Sequence, residues 1–166
     1  MLEIEPFEEG WYCNETTFVD GKMYITQIDA SAPDGGMYKR LYSCNLDGTD
    51  MRLFYEDYGN AASDGQRLYW VKFIFPQLTY DTSPGASELI ILNPDGTVSD
   101  RLALDVLPDL PDAAVGLIEM FPTAGDKVIL AALISGSASE YLYYFPKSEI
   151  GTGNITPVQF MSYLRD

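Results

Sequence analysis

An Asp-Gly pair leading into an alternating apolar stretch occurs twice in this chain and fades into a third copy. Phe18-Val19-Asp20-Gly21-Lys22-Met23-Tyr24-Ile25 returns as Ala62-Ser63-Asp64-Gly65-Gln66-Arg67-Leu68-Tyr69-Trp70-Val71. A weaker echo is Thr123-Ala124-Gly125-Asp126-Lys127-Val128-Ile129-Leu130. A second pattern is interleaved: Leu46-Asp47-Gly48-Thr49 follows the first copy and Asn93-Pro94-Asp95-Gly96-Thr97 the second. Gly21 and Gly65 lie 44 residues apart, Asp47 and Asp95 48. Repetition at this period means that each stretch is one supersecondary unit, which buries its apolar side by stacking on its neighbours. The chain is therefore parsed into units before any residue is read as a site.

Each unit predicts four short strands. In the first these are 16–20, 22–28, 37–46 and 51–55, with Asp20-Gly21 and Asp47-Gly48 as turns. Asp-Gly between apolar runs marks a hairpin, because glycine supplies the positive φ that a tight primed turn needs. The second unit repeats the plan with strands 60–64, 67–75, 88–93 and 98–104. The third is looser, with strands at 117–121, 127–134, 140–145 and 156–160. An acidic linker, Leu107-Pro108-Asp109-Leu110-Pro111-Asp112, precedes it, and two close prolines argue against a central strand there. The expected fold is all-β: about three four-stranded antiparallel blades of a partial β-propeller, whose blades span about 40–45 residues each. The expected organisation is one domain over residues 1–166, with blades at 16–56, 60–104 and 117–160 and a leading segment at 1–15.

Charge and composition remove several function classes. Asp and Glu number 25 against 10 Lys and Arg, a formal net charge of -15, so phosphate backbones and anionic lipids are repelled. Nucleic acid is not an expected partner. The sequence has no histidine, which excludes Ser-His-Asp and Cys-His catalysis and every histidine-based metal site. Two cysteines, Cys13 and Cys44, are too few for a four-ligand zinc site, and whether they pair is open. No run of 18 apolar residues exists, so membrane insertion is not expected, and no leader pattern opens the chain. The compartment reads as cytoplasmic, or as periplasmic or cell-surface if a leader is missing.

Leu46-Asp47-Gly48-Thr49-Asp50-Met51-Arg52-Leu53 and Ser63-Asp64-Gly65-Gln66-Arg67-Leu68-Tyr69-Trp70 resemble the YWTD-type propeller of the low-density lipoprotein receptor group. They resemble its uncharacterised bacterial relatives still more. The resemblance implies a bacterial protein, a Tyr-Trp pair on the second strand of a blade and a Leu-Asp-Gly turn between the third and fourth. It covers about two of the three units and departs from the family motif after Trp70, where Val71-Lys72 stand in place of Thr-Asp. It carries no functional residue across.

Candidate sites are sparse. Tyr80, in the loop after the second strand of the second unit, and Trp70 are the candidate ligand-binding residues, for a glycan, peptide or protein. Trp70, like Tyr24 and Tyr69, also sits where core packing is expected. Glu56, Asp57, Asp64, Asp81, Glu119 and Asp126 are the carboxylates near strand ends, but no motif pairs any two of them for acid–base work. No catalytic residue is assigned. Asp57-Tyr58-Gly59-Asn60 and the acidic linker offer oxygen ligands without a calcium-loop pattern, so neither metal nor cofactor is expected. Asn14-Glu15-Thr16 and Asn154-Ile155-Thr156 fit the glycosylation tripeptide, and neither is read as glycosylated.

Three units are too few to close a ring. The expected function is thus a non-catalytic binding or protein-interaction module, a fragment of a larger ring or a self-associating part-ring. The alternatives are a carboxylate-dependent enzyme acting on a glycan and a purely structural segment.

Overall fold

The structure, a computed structural model, describes residues 8–29, 31–32, 38–74, 85–104, 107–108, 115–122, 125–134 and 139–164. Within them the chain is all-β, with one 3-10 turn at Lys147–Glu149. The first unit holds β1 (Trp11–Val19), β2 (Lys22–Asp29), β3 (Tyr38–Asn45) and the opening half of β4 (Arg52–Ser63). The closing half of β4 begins the second, which continues with β5 (Leu68–Ile74), β6 (Gly85–Leu92) and β7 (Val98–Ala103). The third is β8 (Val115–Phe121), β9 (Lys127–Ile134), β10 (Ser139–Pro146) and β11 (Val158–Leu164). Every pairing is antiparallel between sequence neighbours, β1 to β7 in one run and β8 to β11 in another.

The turns form for the reason their residues predict. Asp20 and Gly21 join Val19 to Lys22 with φ of 49° and 74°, the left-handed pair of a type I′ turn. The two Asn-x-Asp-Gly-Thr turns are built alike. In each, the Gly48 or Gly96 N–H donates to the Asn carbonyl at 2.9 Å. The Asp47 or Asp95 Oδ1 accepts from the Thr hydroxyl at 2.6 Å in both turns and from the Thr N–H at 3.0 and 2.9 Å. These bonds hold both carboxyls below their ordinary pKa.

Alternation along the strands sorts side chains into two cores. Val19, Tyr24, Leu41, Leu68, Trp70, Ile90 and Leu92 fill the seam between the first and second units. Tyr69, Val71, Phe73, Leu89 and Ile91 point the other way and meet Val128, Leu130, Ala132, Tyr143 and Phe145 of the third. β5 and β6 are therefore apolar on both faces because both are covered, as a central blade demands. Because β2 and β5 share one core, the sheet folds back on itself at β4.

Two details differ from the sequence reading. β1 begins at Trp11, so part of the expected leading segment is strand, with a bulge between Cys13 and Glu15. β4 is one continuous strand where two were expected. Asp57 and Tyr58 pair with β3, and Gly59 and Asn60 with β5, so the turn-forming composition of 57–60 is overruled by partners on both sides. Gly59 makes the handover possible: a Cβ there would overlap the Val71 carbonyl oxygen and the Trp70 indole.

Candidate functional site

Each sheet has a rear face, toward the N-terminal neighbour, and a forward face, toward the C-terminal one. The seams between them are stitched by polar groups at their ends. In the first seam the Lys72 Nζ donates to Asp57 Oδ2 at 2.7 Å, a bond that raises the Lys72 pKa. Lys39 Nζ donates to Asn60 Oδ1, and burial lowers the Lys39 pKa against the opposing pull of Glu15. The Thr17 and Ser63 hydroxyls meet at 2.7 Å, and the Tyr24 hydroxyl donates to the Pro94 carbonyl at 3.1 Å.

The second seam is held by Asp64 and Asp100. Asp64, with its side chain 1% exposed, lies 2.8 Å from Lys147 Nζ and accepts from the Tyr69 hydroxyl at 2.9 Å and from the Gln66 and Arg67 N–H groups. Burial works to raise the Asp64 pKa, but these donors outweigh it and hold the carboxyl low. Burial, then Asp64 itself, pushes the Tyr69 hydroxyl far up, so it stays a donor. Asp100 accepts from the Gly151 and Gly153 N–H groups, tying β7 to the loop after the 3-10 turn.

The faces at the two ends of the run carry exposed apolar side chains. On the rear face of the first sheet, Phe18 on β1 is 57% exposed and Leu53 on β4 46%, while Met23, Ile25, Gln27 and Cys44 between them are buried. On the forward face of the third, Phe160 and Met161 are 47% and 51% exposed, beside Phe121, Val158 and Tyr163. Phe160 leans on Tyr144 at 5.8 Å, and Lys127 sits 4.5 Å over that Tyr144 ring. Gln27, on the rear face of the first sheet, keeps a buried Nε2 with no hydrogen-bond partner.

The sequence-derived candidates do not converge. Trp70 is fully buried in the first seam, edge-on to Tyr55 at 5.0 Å. Tyr80 and Asp81 lie outside the described residues, as do most of the acidic linker and the side chain of Glu119. Glu56 lies 3.5 Å from Arg40, and Asp57 and Asp64 are engaged as above. Among the described residues no group of three or more Cys, Asp and Glu side chains could hold a metal ion. Cys13 and Cys44 are both free thiols, one exposed and one buried, and burial raises the Cys44 pKa. The open-face residues were missed as a site. Their signal was the apolar β11 stretch Val158-Gln159-Phe160-Met161, in a unit whose repeat pattern had faded.

No protein-family model matches the chain, and no curated protein sequence matches it. Among solved structures it is similar to one described as "Oligogalacturonate lyase in complex with manganese", with a TM-score of 0.57 and 11% identity. The alignment covers 95% of this chain and 43% of that one, so the chain spans less than half of that protein's length. That protein is a seven-bladed propeller, and 43% of it is about three blades. At such identity the likeness speaks for the fold alone. The chain has the β-propeller fold, as a run of three four-stranded units.

Proposed function

We propose that the chain is a non-catalytic interaction module that binds through the exposed apolar side chains of its two end sheet faces. One observation carries this: phenylalanine, leucine and methionine side chains stand exposed on both end faces, while the same kinds of side chain are buried in both internal seams. Exposed large apolar side chains gathered on one face, as Phe121, Val158, Phe160 and Met161 are, mark an interaction site. The occupant is β-sheet, since a flat, pleated apolar face packs against another of its kind. Tyr69-Trp70 on the second strand of its unit, and Leu46-Asp47-Gly48 between a third and a fourth strand, support kinship with the bacterial relatives of YWTD-type propellers.

A second reading, a carboxylate-dependent enzyme acting on an acidic glycan, draws on the name of the structural neighbour. The engagement of Asp57, Asp64 and Asp100 in bonds that hold the seams weighs against it. Light scattering combined with a neutral apolar dye tests the first reading. The chain should either associate or, as a monomer, bind the dye; a monomer that leaves the dye dark ends the proposal. Turnover of oligogalacturonate that is lost on a single Asp→Asn or Glu→Gln change would put the enzyme reading in its place.

A further inference from the structure

The five lysines of this chain are not held alike. Lys72 and Lys147 reach the Asp57 and Asp64 carboxylates, Lys22 lies 4.0 Å from Asp50, and Lys127 sits over the Tyr144 ring. Lys39, on β3, has no such partner. Its Nζ donates to the neutral Asn60 Oδ1, and no carboxylate of the described residues forms an ion pair with it.

Register gives the reason. Lys39 pairs with Asp57 on β4, so that carboxylate is its cross-strand neighbour. Both Asp57 oxygens are taken, Oδ2 by Lys72 at 2.7 Å and Oδ1 by the Tyr58 N–H at 2.8 Å. Two lysines compete for one carboxylate, and Lys72 holds it.

Lys39 is half-buried where the strands that open the first and second sheets, β1 and the closing half of β4, come together. Among the described residues the titratable groups around it are Glu15 and Tyr12 on β1, Asp57 on β4 and Lys72 on β5. β1 is exposed from Tyr12 to Thr16, which leaves an approach from solvent on that side. A neutral oxygen accepts from an amine as it does from an ammonium, and holds the proton less firmly than a carboxylate does. Burial favours the uncharged amine, and a desolvated lysine attacks carbonyl carbon.

We propose that Lys39 is a covalent binding site for a small aldehyde, which it takes as an imine between β1, β3 and β4. The site is independent of the apolar end faces. The amine lone pair forms the C–N bond while the C=O electron pair moves to oxygen. That oxygen takes a proton and the nitrogen gives one up. The hydroxyl, protonated by solvent, then leaves as water, its C–O bond breaks, and the remaining nitrogen pair and proton loss complete C=N. One amine and one aldehyde give one imine and one water, with no oxidant or reductant. Asn60 holds the nitrogen in place throughout.

Limiting glyceraldehyde with cyanoborohydride tests the site, because the reductant traps an imine as a stable secondary amine. Peptide mapping at pH 7 should find Lys39 labelled several-fold ahead of Lys22 and Lys127, and its labelling should rise at lower pH than theirs. In urea the lead should vanish. Asn60→Asp sets a carboxylate against the ammonium, so the lead should be lost and the rise should move to higher pH. Glu15→Gln, at an exposed position, removes the opposing charge and should move the rise further down. Circular dichroism checks that each variant keeps its strands; where Asn60→Asp does not, Glu15→Gln carries the comparison. Lys39 level with Lys22 and Lys127 in rate or in pH dependence, a lead that persists in urea, or a profile that no folded variant moves overturns the site.

Discussion

Gly59 is the residue on which the passage between the first two sheets depends. Replacing its hydrogen with a methyl group drives Cβ into the Val71 carbonyl oxygen and the Trp70 ring, both fixed in a packed seam. Gly59→Ala should therefore destabilise by about 2–3 kcal/mol, at the upper end of overpacking costs, and urea unfolding measures it. Asp64 offers a different kind of test. Its hydrogen-bond donors hold its folded pKa below the ordinary aspartate value, so it contributes stability above about pH 4. As pH falls from there through the lower folded value, the unfolded chain takes the proton first and the contribution is lost. Asp64→Asn should flatten the fall in stability below about pH 4. It should also lower stability at neutral pH by about 2 kcal/mol, less than for a fully buried pair because Lys147 is partly exposed. Unfolding curves at pH 7 and pH 3 read both effects.

At the scale of elements, Asp100 ties the second unit to the third through two hydrogen bonds. Asp100→Ala should free the Gly151 and Gly153 amides, speed their hydrogen exchange, and cost about 1–3 kcal/mol. Elements bounded by Asp-Gly turns were legible in advance: β2, β3, β5 and β6 fall where Asp20-Gly21, Asp47-Gly48, Asp64-Gly65 and Asp95-Gly96 place them. In each, glycine's positive φ and the alternating apolar residues point to the same hairpin. β9 was legible from its apolar run Val128–Leu133, of which Val128, Leu130 and Ala132 enter the core shared with the second unit. The unity of β4 was not legible, because Asp57, Gly59 and Asn60 are turn formers and only partners on both sides reveal a strand. β11 was placed early, at Thr156 to Phe160, since its face is exposed and its residues carry little alternation. The open-face site was legible only as a count: three units cannot close a ring. Which side chains line the ends follows from register, which a repeat pattern this faint does not specify for the third unit.

For the whole molecule, charge opposes compactness. With a formal net charge of -15, like charges repel across both seams and between copies. Raising salt shortens the screening length from about 10 Å at 0.1 M to about 3 Å at 1 M. Thermal melts should accordingly shift upward with sodium chloride, and association should tighten in parallel; a melting temperature that falls with salt would contradict this. The unbroken path of β4 through two sheets has a further consequence for anyone cutting or grafting these units. No boundary between the first and second can be drawn without slicing a strand that serves both. An excised first unit would lose its outer edge or keep a dangling one, and the pair should melt, exchange and travel as an indivisible block.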